Sequence, residues 1–517
     1  MEGDAPSIFN DVLGPVMRGP SSSHTAGSYH IGRLVRDLLG AEPADATFAF
    51  DPGGSYAPCY RQQGSDLAFA AGLMGWEILD PRFPRALEEA QAAGLRLRFE
   101  TRPLPKADHP NCVDIALAAR EGRSLDVRAR STGGGGVTID SLAGWPVALG
   151  GTSYTLAVET DPAAETQVRT TLAKAGAPKS LQRQAREGRV LLLARGPRPP
   201  AAELLARLDA LPGVRGIWHA EPVFAPKLGD PLFHSASEIV WEAERRAFSL
   251  GRLGLAYEMQ LLAQAEDEAM AEMARRLAVM RRAVAQGLED GRVGMQLLRP
   301  SARRVLEYVQ RAGAVRGGPH ARAAARALAA MHANCSGGVV CAAPTGGSAG
   351  VLPGVVETLV EQRGLTDEQA VSALFAAGAV GVGIAARATF AAETAGCQVE
   401  IGAASAMAAA AAVDAAGGSA RQACDAAAIA FQNAMGSVCD LVQGIVEVPC
   451  HTRNAAAAAG ALVCADLALG GYVNPVPLDE TIDAALAVGR MLPAELRCTA
   501  RGGLAATPSA RSLPRLR

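Results

Sequence analysis

Residues 370–386 read AVSALFAAGAVGVGIAA and carry no charged side chain. The run is shorter than the roughly 20 strongly apolar residues that a helix needs to cross a bilayer. Its alanines and glycines let neighbouring helices approach closely. The run is therefore typical of a helix buried in a protein core, and it does not predict a membrane span.

The sequence around this run keeps a helical pattern over a long distance. Capping-box patterns at residues 235–238 (SASE) and 366–369 (TDEQ) each predict the start of a helix. Alanine-rich stretches at 403–415 and 455–469 repeat with the helical period. We therefore predict an all-α domain over residues 232–517.

The first 150 residues have a different pattern. Short apolar runs at 46–50 and 95–99 predict strands, and residues 67–74 and 83–93 predict helices between them. Residues 1–150 are therefore predicted to form a mixed α+β domain.

Residues 151–225 make up a third unit, which a linker at 226–231 (PKLGDP) follows. The predicted elements are strands at 154–158, 190–194 and 216–219 and helices at 163–174 and 201–211, with a further strand left open around 180–184. This order fits the small βαββαβ regulatory module called an ACT domain. An ordinary linking subdomain fits the pattern equally well.

Composition limits the kind of partner. The 50 basic and 52 acidic residues give a net charge of −2, which removes the electrostatic argument for nucleic acid or an anionic membrane and leaves a small molecule. The 10 cysteines are too dilute for a disulfide scaffold, and residues 1–4 (MEGD) lack the basic and apolar parts of a signal peptide. These features predict a reducing cytoplasm, where free cysteines are candidates for metal ligation or catalysis.

A serine-rich segment is the first candidate for a functional site. Residues 14–27 read GPVMRGPSSSHTAG, so four hydroxyls and an imidazole follow a Gly-Pro turn and precede a helical pattern. Hydroxyls and free N–H groups at a helix N-terminus suit a carboxylate or phosphate. On spacing alone, a serine-rich N-cap with a surface histidine explains the segment at least as well.

Three cysteines stand in distinctive surroundings, at Cys397 (GCQVE), Cys439 (VCD) and Cys450 (VPCHTRN). Their spacing matches neither a zinc finger nor a ferredoxin run. Spacing alone therefore leaves them as buried free thiols.

Taken together, a series of short segments resembles the bacterial iron-sulfur-dependent L-serine dehydratases, with a β-like part followed by an α-like part in one chain. The β-like segments are 14–27, 54–57 (GSYA), 64–66 (GSD), 109–111 (HPN) and 133–136 (GGGG). The α-like segments are 342–353 (AAPTGGSAGVLP), 396–402 (GCQVEIG), 405–407 (SAM), 439–440 (CD), 448–454 (VPCHTRN) and 502–505 (GGLA). Each segment is weakly specific, but their joint order is highly specific.

The resemblance implies that Cys397, Cys439 and Cys450 hold three irons of a [4Fe-4S] cluster and leave the fourth iron open to substrate. That iron would act as a Lewis acid on the departing hydroxyl of L-serine, giving pyruvate and ammonia. No pyridoxal phosphate is expected, since the sequence has no clear phosphate-site lysine motif. A homodimer is expected from the same resemblance.

The resemblance also implies roles for other residues. His24, His109 and Ser23 are the candidate catalytic residues. The candidate substrate-binding residues are Ser21, Ser22, Thr25, Asn111, Asn334, Thr345, Gly347, Ser348 and Arg453. Arg453 could equally structure its own loop, and Glu400 and Asp440 could either orient the cysteine loops or act as bases.

The chain departs from the family pattern at several positions. Gln63 stands where the family normally has a histidine, and glutamine cannot take a proton near neutral pH. Leu441 and Gln443 replace a proline and a small residue in the cysteine loop. Some relatives end in a cysteine that reaches the open iron, whereas residues 504–517 contain none, and Cys498 is a candidate substitute.

Two alternatives to serine dehydration remain open at this point. Gln63 motivates a lyase of the same fold that acts on another β-hydroxy or β-thiol amino acid. The ACT-like pattern motivates a non-catalytic amino-acid sensor, although the three cysteines argue against it.

Overall fold

The computed structural model describes residues 5–176, 180–289, 294–311, 315 and 317–514, so the start at residues 1–4 and the last residues 515–517 lie outside it. The strands are β1 (Val16–Arg18), β2 (Pro43–Phe50), β3 (Arg96–Thr101), β4 (Cys112–Ala119), β5 (Ser124–Gly133), β6 (Gly136–Leu142), β7 (Trp145–Leu149), β8 (Tyr154–Thr160), β9 (Ser180–Arg186), β10 (Arg189–Gly196), β11 (Val214–Ala220) and β12 (Val339–Cys341). The helices of the N-terminal and middle regions are α1 (Gly27–Leu39), α2 (Tyr56–Cys59), α3 (Ser65–Leu73), α4 (Ala86–Ala92), α5 (Glu165–Lys174) and α6 (Ala202–Asp209). Those of the C-terminal region are α7 (Ala236–Arg246), α8 (Leu250–Leu262), α9 (Glu266–Gly287), α10 (Ala302–Gln310), α11 (Pro319–Cys335), α12 (Val351–Arg363), α13 (Asp367–Arg387), α14 (Ala392–Ala395), α15 (Ile401–Ala415), α16 (Ala420–Ala434), α17 (Cys450–Leu469), α18 (Leu478–Met491) and α19 (Pro508–Ser512).

The N-terminal region is built on a six-stranded sheet in the order β3-β2-β4-β5-β6-β7. Strands β2 and β3 are parallel, and the other neighbours are antiparallel. Helices α1 and α3 contribute to the same core as the sheet, where Phe48 stacks on Phe69 with ring centroids 4.3 Å apart. The mixed α/β character predicted for this region is confirmed.

The middle region has the chain order βαββαβ, from β8 to β11. Its four strands lie in the order β11-β8-β10-β9, and all neighbours are antiparallel. The strand left open in the sequence is β9. A small core of its own, which includes Val158, Leu172, Leu192 and Leu208, holds helices α5 and α6 against the sheet.

Helix α13 contains the uncharged residues 370–386 and lies in the core of the helical region. By length and composition it could span a membrane, the only such helix in the described part of the chain, yet 78% of its apolar window is buried inside the protein. Its small residues receive neighbours at close range: a Cβ on Gly381 would lie 2.1 Å from Val12 Cγ1. The glycines therefore serve close packing, as the sequence predicts.

The helix starts follow the predicted caps. Ser235 Oγ accepts a hydrogen bond from Glu238 N at 3.2 Å, and Thr366 forms a full capping box with Gln369. The prediction of an all-α domain needs one correction, since β12 lies inside it and pairs antiparallel with β1 of the N-terminal region. Three residues are too few to show a strand period, and their partner lies in another region.

The first described residues thread into the helical core. A π-helical turn at Ile8–Val12 packs with helices of the C-terminal region. The buried carboxylate of Glu258 accepts the backbone N–H groups of Ile8 and Phe9 at 2.7 and 2.9 Å. The buried Arg276 donates to the carbonyl oxygens of Phe9 and Leu13. These contacts fix the chain just before β1, which leads into the serine-rich segment.

Candidate active site

The serine-rich segment forms a π-helical turn at Ser22–Ala26 that leads directly into α1. Ser21 is its N-cap, and its Oγ accepts from His24 N at 3.2 Å. Thr25 Oγ1 donates to the carbonyl oxygen of Gln63 at 2.7 Å. The hydroxyls thus lie at a helix start, as predicted. The segment is buried, so His24 is a buried histidine and not a surface one.

His24 belongs to a buried hydrogen-bonded group that spans two regions of the molecule. Ser23 Oγ donates to Glu393 Oε1 at 2.6 Å and lies 3.0 Å from His24 Nδ1. The Ser23 hydroxyl can donate only one hydrogen bond, and it donates this one to Glu393. In its contact with His24, Ser23 Oγ is therefore the acceptor and Nδ1–H is the donor. The basic nitrogen is therefore Nε2, which lies 3.2 Å from Ser55 Oγ.

The charges of this group follow from its burial. Burial lowers the pKa of His24, against the attraction of Glu393, which lies 3.5 Å from Nδ1. Burial alone would raise the pKa of Glu393, but His24 and the Ser23 hydroxyl outweigh it and hold that pKa below its ordinary value. The group therefore combines a carboxylate with a neutral imidazole, an acceptor pair suited to receiving a proton.

His109 and Asn111 lie beside the same carboxylate. Asn111 N donates to His109 Nδ1 at 3.1 Å, and burial lowers the pKa of His109, with Glu393 opposing. Asn111 is fully buried, and neither polar atom of its amide has a hydrogen-bond partner among the described residues. Its side chain still lies close enough to Glu393 to help lower that pKa. Buried polar groups are nearly always hydrogen-bonded, so this amide beside Glu393 is a candidate to hold a bound group.

A glycine-rich turn of the helical region packs against the serine-rich segment. Asn334 Nδ2 donates to the carbonyl oxygens of Pro20 and Gly346, both at 2.9 Å, and so joins the two segments. Ser22 lies against Gly346, where a Cβ would stand 2.8 Å from Ser22 N.

Within this turn, Thr345 and Ser348 form a capping box. Ser348 Oγ also donates to Ala343 O at 3.2 Å, so this hydroxyl serves the turn itself.

Glu400 faces the glycine-rich turn. A Cβ on Gly347 would lie 3.5 Å from Glu400 Oε1. Burial and the nearby Glu393 carboxylate raise the pKa of Glu400 to about 8, while a hydrogen bond with Thr345 acts in the opposite direction. This carboxyl group is therefore largely protonated at neutral pH and can act as a hydrogen-bond donor.

The three predicted cysteines meet in one apolar pocket. Cys397, Cys439 and Cys450 pack in a single buried cluster, and Cys498 belongs to it as well. Burial raises the pKa of the Cys397 and Cys450 thiols; the pKa of Cys439 is raised first by its hydrogen bond with Cys498 and then by burial. The backbone joins the last two directly, since Cys498 N donates to Cys439 O at 2.8 Å.

Arg453 supports this pocket. Its Nη1 donates to Val438 O at 2.7 Å and its Nη2 lies 2.9 Å from Asp440 Oδ1. The Cys397, Cys439 and Cys450 thiols lie close enough to raise its pKa, although burial acts against them. The guanidinium therefore serves the cysteine loop, and its predicted contact with a substrate carboxylate stays a prediction.

The thiols suit an iron-sulfur cluster better than a single ion. Among the described residues, no group of three or more His, Cys, Asp or Glu side chains is arranged to hold one metal ion. A cluster spaces its ligands more widely than one ion does, and cysteine thiolates are its usual ligands. A buried pocket that gathers four thiols, three of which interact electrostatically with Arg453, fits such a group.

The structure brings the predicted residues of both regions to one place, and it adds residues that sequence reasoning missed. Glu393 is the most important of these residues, because it accepts the Ser23 hydrogen bond and lies four residues before Cys397. A signal was present, since Glu393 is the only charged residue between Arg387 and Glu400. Ser55, in the GSYA segment, is the second; its Oγ lies 3.2 Å from His24 Nε2 and 3.3 Å from Cys498 O.

Comparison with known proteins finds relatives of both the helical and the N-terminal regions of the chain. The "Probable L-serine dehydratase, alpha chain" of Bacillus subtilis is 38% identical over 282 residues, which cover 54% of this chain and 94% of that protein. The "L-serine dehydratase, alpha chain" of Peptoniphilus asaccharolyticus is 33% identical over 285 residues, which cover 55% of this chain and 98% of that protein. The "Probable L-serine dehydratase, beta chain" of Bacillus subtilis is 39% identical over 145 residues, 28% of this chain and 64% of that protein.

The fold, the site and these relatives together define a lyase in which a β-like and an α-like part are joined in one chain. Residues 233–505 match the family described as "Serine dehydratase alpha chain", and the chain belongs to this family.

Proposed function

We propose that this enzyme removes water and ammonia from L-serine and that it uses a [4Fe-4S] cluster held by Cys397, Cys439 and Cys450. One observation supports the proposal most. Glu393, which accepts the Ser23 hydrogen bond, stands on the same short segment as Cys397, so the acid–base group and the thiol pocket are neighbours.

The cluster would be held at the pocket described above, with Arg453 and Asp440 supporting the cysteine loop. When bound, it supplies an iron without a cysteine ligand, a Lewis acid that stabilises the departing β-hydroxyl group by several kcal/mol. Cys498 is the fourth thiol of the pocket and the alternative ligand for that iron.

His24 is the proposed base. With Nδ1 donating to Ser23 Oγ, Nε2 is the nitrogen that would take the α-proton of serine, and Glu393 is placed, through Ser23, to stabilise the imidazolium that forms. His109, beside the same carboxylate, is the second candidate. Loss of the α-proton and the β-hydroxide gives aminoacrylate, which tautomerises to an imine; water then releases pyruvate and ammonia.

The proposed substrate-binding groups are polar groups that can form hydrogen bonds with the amino acid. The unpartnered Asn111 amide can donate to the substrate carboxylate or accept from its ammonium group. Thr345 and Gly347, in the turn that faces Glu400, are the proposed contacts on the opposite side. Ser21 caps the serine-rich turn and Thr25 joins it to Gln63; substrate contacts of Ser21, Ser22 and Thr25 stay predictions.

The decisive experiment is anaerobic reconstitution followed by iron and sulfide analysis, visible absorbance and an assay for pyruvate. We expect about four irons and four sulfides per chain, and L-serine turnover. Replacement of Cys397, Cys439 or Cys450 by serine should each abolish both the cluster and turnover. Cys464→Ser, in a buried thiol outside the pocket, is the matched control and should keep both. Protein that binds serine but assembles no cluster would instead support the sensor.

The middle region is proposed to be an ACT-like regulatory module. Its support is the βαββαβ order with the sheet order β11-β8-β10-β9; the effector is open. The cytoplasm suits a protein whose 10 cysteines are all free. The homodimer and the domain boundaries at residues 150, 225 and 232 stay predictions.

A further inference from the structure

Gln63 connects the two halves of the site, although it stands where the family normally has a histidine. It lies in the turn between α2 and α3 and is 1% exposed. Its backbone carbonyl accepts the Thr25 hydroxyl at 2.7 Å. Its side-chain Nε2 donates to Gly444 O at 2.8 Å and to Cys59 Sγ at 3.2 Å.

Gly444 belongs to the loop that connects Cys439 with Cys450, and it approaches the N-terminal region closely. Its φ of +76° lies in the left-handed region that favours glycine, and a Cβ there would stand 2.9 Å from Cys59 Cβ. The backbone of the cysteine loop is therefore pressed against α2, with the Gln63 amide as its hydrogen-bond donor.

The same loop is held separately on its other side. Cys335 Sγ donates to Val446 O at 2.9 Å. The buried Glu447 carboxylate accepts the backbone N–H groups of Gln296, Leu297 and Leu298 at 2.6, 2.8 and 2.7 Å. These contacts lie within the helical region, whereas the Gln63 hydrogen bond crosses to the N-terminal region that carries the serine-rich segment.

We infer that Gln63 is a positioning residue that sets the serine-rich turn and the cysteine loop at a fixed distance from each other. It acts through Thr25 and Gly444, and the one thiol that its side chain contacts, Cys59, is not among the proposed cluster ligands. Glutamine suits this task because its amide donates at every pH, whereas a histidine would change its charge. The role in catalysis rests on the proposed function; the role in holding the two segments does not.

The test is Gln63→Leu, which keeps most of the side-chain volume and removes both donated hydrogen bonds. Gln443→Leu is the matched control, because Gln443 lies next to Gly444 in the same loop but its Nε2 donates to Pro514 O at 2.9 Å. Hydrogen–deuterium exchange at Gly444 and at residues 21–25, loss of cluster absorbance in the presence of a chelator, and kcat are measured for the parent and both variants.

We expect Gln63→Leu to raise exchange in both segments roughly tenfold, to speed cluster loss and to lower kcat, while Gln443→Leu changes none of these. Unchanged exchange in Gln63→Leu, or an equal rise in Gln443→Leu, would overturn the inference. If Gln63→Leu does not fold, Thr25→Val removes the other link and should raise exchange at residues 21–25; unchanged exchange there counts against the inference. A parent protein without a cluster refutes the proposed function, whereas the exchange data still test Gln63.

Discussion

At the residue scale, the chemistry depends on a few side chains whose states are set by burial. His24 and Glu393 are both buried, and each alone would pay a desolvation cost as an ion. The Ser23 hydroxyl between them satisfies the carboxylate and orients the imidazole. We therefore expect removal of the Glu393 carboxylate to affect proton transfer more than the folding of the cysteine pocket.

Glu393→Gln should lower kcat for L-serine by about a hundredfold or more, because the imidazolium loses the charge that stabilises it. Iron and sulfide content should stay at the parent level. Glu495→Gln, an exposed glutamate near Cys498, is the control and should behave as the parent does. Parallel loss of cluster and activity in Glu393→Gln would show instead that Glu393 serves the thiol pocket.

At the scale of elements, α1 follows the serine-rich turn directly, and its first turn contacts the glycines at residues 133–136 between β5 and β6. His30, on α1, lies 2.8 Å from Gly135 O through Nδ1, and its ring meets Phe224 at a centroid distance of 4.7 Å. Burial lowers the pKa of His30 to about 4. Folding thus keeps this histidine neutral.

This burial predicts a pH-dependent stability. Above pH 6.5 His30 is neutral in both the folded and the unfolded chain, so its protonation does not affect stability. As the pH falls toward 4, His30 takes up a proton only in the unfolded chain, and the free energy of unfolding decreases. The loss reaches roughly 3 kcal/mol near pH 4. Urea unfolding at several pH values should show a shallower pH slope for His30→Gln than for the parent. An unchanged slope would be inconsistent with this explanation, and the exposed His234→Gln is the control.

At the scale of the whole molecule, the N-terminal and helical regions are interlocked. Residues Ile8, Phe9, Val12 and Leu13 belong to the helical core, and β1 pairs with β12. Parts that are separate chains in Bacillus subtilis are thus packed here through shared elements. We expect the two regions to unfold together.

Gly381→Ala tests this interlocking. A new Cβ would overlap Val12 Cγ1, whose β-branched side chain has little freedom to move. We expect a loss of about 1–3 kcal/mol in the free energy of unfolding. Gly460→Ala, on α17 with no atom within 4 Å of the new Cβ, should gain about 0.5–1 kcal/mol instead. Equal effects of both substitutions would exclude packing as the cause.

Sequence by itself determined the local features of this protein. The helix of residues 370–386, the cap at Thr366 and most of the order of elements along the middle region follow from neighbours in the chain, because caps and periodicity are local properties. The cysteines were singled out by their surroundings and by resemblance. The pairing of β1 with β12 was not predicted, since it joins distant segments.

Only the tertiary structure decided how the site is assembled. Ser23 and Glu393 meet although they are 370 residues apart in the chain. Gln63 is a departure from the family pattern in the sequence, and only the structure shows that its side chain donates to the cysteine loop. Burial then sets which groups carry charge, as at His24 and Glu400. These properties depend on packing between remote segments and on the exclusion of water, which no local pattern encodes.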